Sequence, residues 1–515
     1  MKTQVSKRRR EIGWLAGISL FACLIRFFFL ANGPGGWDDV DFALALKSYD
    51  IAQMQPHFPG YPIYLLVAHV FAAFIPNGFE ALSFLSMVAA ALTIFPLYLI
   101  VKRYSGARVA LWACILWSVS PLDLVLGTQP LSDSFGTLLA MGVVASSLLA
   151  MDSRHSEKNR ALALLLSGIL LGLLYGVRIS YLPFAAVPLW AAYVYLRDTG
   201  AWGDVIRAVA CAVLVSSAWV VAMVNNVGGF DMLWTLATQF TSGHFSDWGG
   251  TYHEGAPLLS RATYWLGRQL FAAGMGTPWE GYDDPLRWLI AGLFLLAMIG
   301  FIKNRRVNAT DIDKRQWVLI AAWVVPYLVW TFFAQNIEKP RHLLPLLPAL
   351  LWLIAAGLGR WKRIGNGLFF LMTVSMLDVG LTPIMSQPKI PSPMVQLADY
   401  LANQGSVDSS VIYTYEEERV IQYMHPSIQT VRLRKWEDFQ VSLLNYPDLP
   451  EHIYLTDSVL QGFQMPVLNG YVREVARFTG SEWLYPTYHD IVLYELLPEK
   501  KQALLHMSKL PAGIR

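Results

Sequence analysis

Apolar runs about twenty residues long recur along the first three quarters of this 515-residue chain. A helix of that length spans the hydrocarbon core of a bilayer, so the runs read as membrane helices rather than as core helices of a soluble fold. They fall near 12–31, 80–101, 108–127, 132–151, 161–177, 181–196, 204–225, 286–302, 316–334, 342–359 and 365–384, which predicts eleven spans. Mean hydropathy of +0.39 and only 15% charged residues exclude an ordinary soluble domain, where roughly a quarter of residues are charged. A twelfth apolar piece, Tyr61 to Ile75, is bounded by Pro62 and Pro76 and too short to cross. It reads as an interfacial or re-entrant helix.

Charge fixes the expected topology. With 61–75 not crossing, the segments 1–11, 102–108, 152–160, 197–207, 303–315 and 360–363 share one side and hold 21 Lys and Arg. The opposite loops, 32–79, 128–131, 178–180, 226–287 and 335–341, are longer and hold seven. The positive-inside rule therefore places the N-terminus in the cytoplasm. Lys7-Arg8-Arg9-Arg10 resembles a signal n-region, but no small-residue cleavage site follows, so the first run reads as an uncleaved span. The three cysteines, Cys23, Cys114 and Cys211, lie inside apolar runs and imply no metal motif or disulfide framework.

Composition changes after Pro388. Strand-like and helical stretches alternate: 394–403 helical, 410–415 strand, 416–425 helical, 430–434 strand, 436–444 helical, 452–456 strand, then strands at 472–477 and 490–496. This predicts a small α/β domain over 388–515, outside the membrane, after a membrane domain over 1–387.

The chemistry-bearing residues concentrate at the first outer loop, 32–79. Gly35-Gly36-Trp37-Asp38-Asp39-Val40-Asp41-Phe42 places three carboxylates at the mouth of the first span, where charge next to hydrocarbon is costly. Asp38 at the start of a helix suits an N-cap, and equally a general base or metal ligand. Asp38, Asp39 and Asp133 leave a shared divalent cation open. The turn Pro56-His57-Phe58-Pro59-Gly60-Tyr61-Pro62 sets His57 and Tyr61 on the same loop. Arg178, Lys339, Arg341 and His342 lie at outer ends of apolar runs. Such arginines often anchor a span by snorkelling, and guanidinium also matches phosphate bidentately. The long outer loop adds Trp234, His244, Asp247, Trp248, Tyr252, His253, Glu254, Trp279, Glu280, Tyr282, Asp283 and Asp284, a set suited to sugar stacking or to a membrane-interface belt.

The acid pair Asp38-Asp39-Val40-Asp41-Phe42-Ala43 and the turn His57-Phe58-Pro59-Gly60-Tyr61-Pro62 resemble the GT-C glycosyltransferase superfamily, in the branch of the protein O-mannosyltransferases and lipid A aminoarabinose transferases. Ser120-Pro121 with Asp133, Gly176-Val177-Arg178-Ile179-Ser180 and Lys339-Pro340-Arg341-His342-Leu343-Leu344-Pro345 add short matches, and the layout agrees over the whole chain. His57 is followed by Phe58 where relatives usually carry proline.

The resemblance implies an all-α polytopic membrane domain with an extramembrane C-terminal domain. It implies a polyprenyl-phosphate-linked sugar donor, Asp38 as catalytic base with Asp39 beside it, and inversion at the anomeric carbon. His57, Tyr61, Asp133, Arg178, Lys339, Arg341 and His342 become substrate-binding candidates, with a lipid, glycan or protein acceptor and a bacterial inner membrane as the setting. No cofactor is required by this reading. The rival class is a lipid or sugar transporter. That class predicts internal repeats and ionisable residues at mid-span, and the sequence shows no repeat and spans almost free of charge.

Overall fold

The computed structural model describes residues 2–246, 251, 255, 257–303, 314–404, 410–446 and 449–505. The chain divides into two compact units: Met1–Asn32 with Phe42–Met385, and Gly33–Asp41 with Ser386–Arg515. The sequence places the boundary at 388 and assigns the whole first loop to the membrane domain; the structure instead groups Gly33–Asp41 with the C-terminal unit.

The first unit is helical. It opens with α1 (Lys2–Phe27); α2 (Trp37–Ala45) enters it at Phe42, and α3 (Pro62–Ala72) follows. Among the described residues, eight helical stretches are long and apolar enough to cross a membrane. Two of them are interrupted. Gly78–Val119 breaks at Gly106, whose φ of 81° suits a residue without Cβ. The chain doubles back there: Cys114 Sγ reaches Ile94 O (3.4 Å) and Trp117 Nε1 donates to Ala90 O (2.9 Å). Pro340–Ser386 breaks at Lys362. Its second half lies alongside 107–126, with Arg108 bonded to Asn366 (2.5 Å), Trp112 stacked on Phe369 (4.2 Å) and Gly380 against Pro121 and Leu124. Helix α3 has 11 residues, about 16 Å at the α-helical rise, too short for a span.

The loops sort to two ends, as the charge pattern expects. At one end Lys102 pairs with Glu11 (2.5 Å), Arg103 with Asp152 (3.8 Å), and Asp198 with both Arg160 (2.8 Å) and Arg315 (2.6 Å). At the other, Ala31 N donates to Thr128 O (2.9 Å), Asn226 Nδ2 to Tyr49 O (2.8 Å), and His244 Nε2 meets Ala334 O (2.6 Å). Between the ends the surface is apolar. Trp202–Asn226 buries only Ala208 and Met223, leaving Val209, Val213, Leu214 and Val221 outward. A continuous apolar exterior of this kind is unfavourable in water and suits lipid.

The second unit carries a five-stranded sheet in the order β2-β1-β3-β5-β4. The strands are β1 (Ser410–Thr414), β2 (Thr430–Arg432), β3 (His452–Thr456), β4 (Val472–Thr479) and β5 (Asp490–Leu496). β1 pairs in parallel with β2 and β3, while β5 pairs antiparallel with β3 and β4. The parallel part needs crossovers, supplied by Glu417–Met424 and Trp436–Leu444. Tyr413, Leu455, Trp436, Phe439, Val459 and Phe463 form its apolar core.

Candidate active site

In the second unit, the first turn of α2 presents the acids. Asp41 is fully buried and accepts from Trp37 Nε1 (3.0 Å) and Arg419 Nε (2.7 Å), so it is a structural acid. Asp39 is also buried, and its Oδ2 accepts from Gly35 N (2.7 Å). Asp38 remains half-buried. Of the three carboxylates it is the most accessible.

In the first unit, the proline turn is closely packed. Its Gln55–Pro56 and Phe58–Pro59 bonds are cis, Gly60 has φ +80°, and Tyr49 Oη donates to Gly60 O (2.9 Å). His57 Nε2 lies 3.0 Å from Tyr61 Oη, its ring stacks on Phe240 (5.8 Å), and Phe42 packs edge-on to Tyr61 (4.8 Å). The sequence pattern that puts His57 and Tyr61 four apart thus yields a direct pair.

A second group in the same unit gathers the predicted cations. Arg178 extends from the turn after the helix Glu157–Val177 and forms an ion pair with Asp133, itself 2% exposed at the first turn of Asp133–Met151. Arg178 Nη2 lies 3.4 Å from His342 Nδ1. Lys339 and Arg341 are within electrostatic reach of His342, and so are Arg178 and His244. Burial is the largest single influence and opposes the charge on Arg178, but Asp133 and, to a smaller extent, Tyr61, Tyr181 and Tyr327 together outweigh it, and the guanidinium stays protonated. Burial lowers His244, its bond to Ala334 O works the other way, and Arg178 and Lys339 lower it further, so it is neutral near pH 7. The second oxygen of Asp133 is buried without a hydrogen-bond partner among the described residues.

Tyr181 and Tyr327, stacked at 5.8 Å, back this group: Tyr181 Oη donates to Asp133 O (3.4 Å) and Tyr327 Oη to His342 O (3.1 Å). Neither tyrosine was legible in the sequence, because each lies in an apolar run where aromatics are ordinary. The fully buried pair Arg26–Asp123 (2.5 Å) was also missed as a pair, although a lone Arg and a lone Asp in two apolar runs is a signal for one. Asp247, Trp248, Tyr252, His253 and Glu254 lie outside the described residues. Among the described residues no group of three or more His, Cys, Asp or Glu side chains is placed to hold a metal ion, and Asp133 is engaged by Arg178.

Chemically, an ion-paired arginine with further cations and a neutral histidine at one end of an apolar bundle suits an anionic head group on a lipid tail. Residues 56–221 match the family described as dolichyl-phosphate-mannose-protein mannosyltransferase. No curated protein sequence matches the chain. Among solved structures, ArnT from Cupriavidus metallidurans in the apo state aligns with TM-score 0.55 and 12% identity, covering 95% of this chain and 98% of that one. The same protein bound to undecaprenyl phosphate aligns with TM-score 0.51 and 12% identity over 94% and 98% of the two chains. The Pmt1–Pmt2 protein O-mannosyltransferase complex of S. cerevisiae shares 21% identity over 41% of this chain and 32% of that one, with TM-score 0.34, too loose a likeness to argue from. The fold, a helical membrane domain followed by a small sheet domain, is shared with ArnT, and residues 56–221 carry the mannosyltransferase family match.

Proposed function

We propose that the chain transfers a sugar from a polyprenyl-phosphate donor to an acceptor hydroxyl at the outer face of a bacterial inner membrane. The observation that carries this reading is the group formed by Arg178, Asp133, His342, Lys339 and Arg341. Asp133 fixes the Arg178 guanidinium, which together with Lys339 and Arg341 supplies the charge a phosphate needs. The undecaprenyl phosphate bound by ArnT supports the same donor class. The excess of Lys and Arg in the loops at the opposite end supports a cytoplasmic N-terminus and a periplasmic C-terminal unit.

In the proposed reaction Asp38 takes the proton of the acceptor hydroxyl as its oxygen bonds to the anomeric carbon. The bond from that carbon to the phosphate oxygen breaks, and polyprenyl phosphate leaves with the electron pair. Phosphate is a good leaving group, so cations at its oxygens replace a general acid. A single displacement inverts the anomeric centre. Asp39 orients the loop beside Asp38, while His57 and Tyr61 contact the sugar. The acceptor is a lipid, glycan or protein hydroxyl.

Equilibrium binding of undecaprenyl phosphate to the detergent-solubilised protein tests the donor assignment. Saturable binding that weakens at least tenfold in Lys339→Ala/Arg341→Ala supports it. Equal affinity in wild type and that variant sinks it.

A further inference from the structure

We infer that the C-terminal unit is a positioning device for the candidate base, acting through Arg419. This rests on Asp38 being the base. The loop that carries Asp38 belongs to that unit: Gly33–Asp41 groups with Ser386–Arg515, not with the helices on either side of it. Three anchors hold it. Ser392 Oγ donates to Pro34 O (2.7 Å) ahead of α2. Gly35 lies tightly against the Tyr485 ring, where a Cβ would come within 2.9 Å of it. Asp41, with no exposure at all, accepts from Arg419 Nε at 2.7 Å across 378 residues of sequence.

Trp37 completes the grip. It and Asp41 are four residues apart and so share one helix face, where Trp37 Nε1 donates to Asp41 at 3.0 Å. The guanidinium groups of Arg419 and Arg432 lie 5.6 and 4.4 Å from the Trp37 ring centre, and Arg432 also lies 5.1 Å from that of Tyr415. A buried carboxylate bonded to both an indole and a guanidinium fixes the rotation of the helix about its axis. Asp38 lies between the two ends of this clamp, one residue from Trp37 and three from Asp41, and a rotation of α2 would turn its carboxylate with the helix.

The purpose of such a clamp follows from what a base needs. General-base catalysis depends on an oxygen held within hydrogen-bond reach of the proton it removes, and displacement by about 1 Å can cost ~10²-fold in rate. A base in the first turn of a nine-residue helix has little local structure of its own to hold it. The C-terminal unit supplies that structure from a distance in sequence. Arg419 therefore acts through Asp38 and touches no substrate.

The test uses full-length protein in detergent, comparing wild type, Arg419→Ala, Arg419→Lys and Asp38→Asn. Hydrogen exchange over residues 36–41 reads the grip without substrate. Donor consumption reads its consequence. In Arg419→Ala, exchange over 36–41 rises at least tenfold, kcat falls at least tenfold, and KM for the donor stays within twofold. Arg419→Lys, which keeps the charge and one donor, recovers part of kcat. Unchanged exchange in Arg419→Ala overturns the inference whatever the activity. Faster exchange with unchanged kcat, while Asp38→Asn is inactive, also overturns it and leaves the proposed function standing. If Asp38→Asn keeps wild-type activity, the base assignment fails and takes the inference with it.

Discussion

Arg178→Met separates the structural and functional roles of the cation group. Asp133 is 2% exposed, and one of its oxygens already has no partner among the described residues. Removing the guanidinium strands a buried carboxylate. Breaking a buried pair from one side costs about 3–5 kcal/mol, or roughly two to three and a half powers of ten in the folding equilibrium. Adding Asp133→Asn removes the stranded charge and leaves a neutral polar group, whose unsatisfied burial costs about 1–3 kcal/mol. The double variant should therefore be more stable than Arg178→Met by about 2 kcal/mol. It should still lack transfer, because the phosphate ligand is gone. Unfolding of the detergent-solubilised protein, followed by tryptophan fluorescence, ranks the three proteins, and donor consumption reads activity. The reasoning fails if Arg178→Met unfolds with the wild type, or if the double variant regains transfer.

Asp38→Asn should lower kcat by about 10²–10⁴ while undecaprenyl phosphate binding is kept, as measured by transfer and by equilibrium binding in parallel. Gly357→Leu should destabilise the helical unit, because a Cβ at Gly357 would run into the Ala297 backbone and Gly300 faces Gly357 O in turn; a wild-type unfolding midpoint would contradict this close crossing. Burial alone would raise Glu495, but hydrogen bonds from His452 (2.6 Å) and Arg473 (2.6 Å) outweigh it and hold the carboxyl below its usual range. Its contribution is thus present above the unfolded pKa near 4.5 and lost as pH falls through the lower folded value. Glu495→Gln should flatten the acid limb of the stability profile between about pH 5 and 3, and an unchanged limb would refute it.

The membrane layout was legible because two strong signals agree. Apolar run length marks the helices, and sorted Lys and Arg mark the ends. The pairs Lys102–Glu11 and Arg160–Asp198–Arg315 join loops that charge alone had placed together. The α/β unit was legible because its strands are short apolar runs between polar helices; β3 and β5 fall where the pattern puts them. The cations Arg178, Lys339, Arg341 and His342 could be named one by one. Their convergence could not, since Arg178 and His342 are 164 residues apart. The attachment of Trp37–Asp41 to the C-terminal unit was invisible for the same reason. It depends on Arg419, which in sequence is one more charge on an amphipathic helix. The Gly106 reversal falls within the basic segment 102–108 that separates the runs 80–101 and 108–127, so Lys102, Arg103 and Arg108 mark it in the sequence.

Proteoliposomes loaded with radiolabelled polyprenyl-phosphate sugar put the central claim to its most direct test. With a membrane lipid and glycan extract supplying the acceptor hydroxyl, a transferase should release free polyprenyl phosphate and move the label onto that acceptor, and Asp38→Asn should do neither. Label that moves between leaflets with the lipid–sugar bond intact, equally in both proteins, would make the chain a transporter and contradict the account.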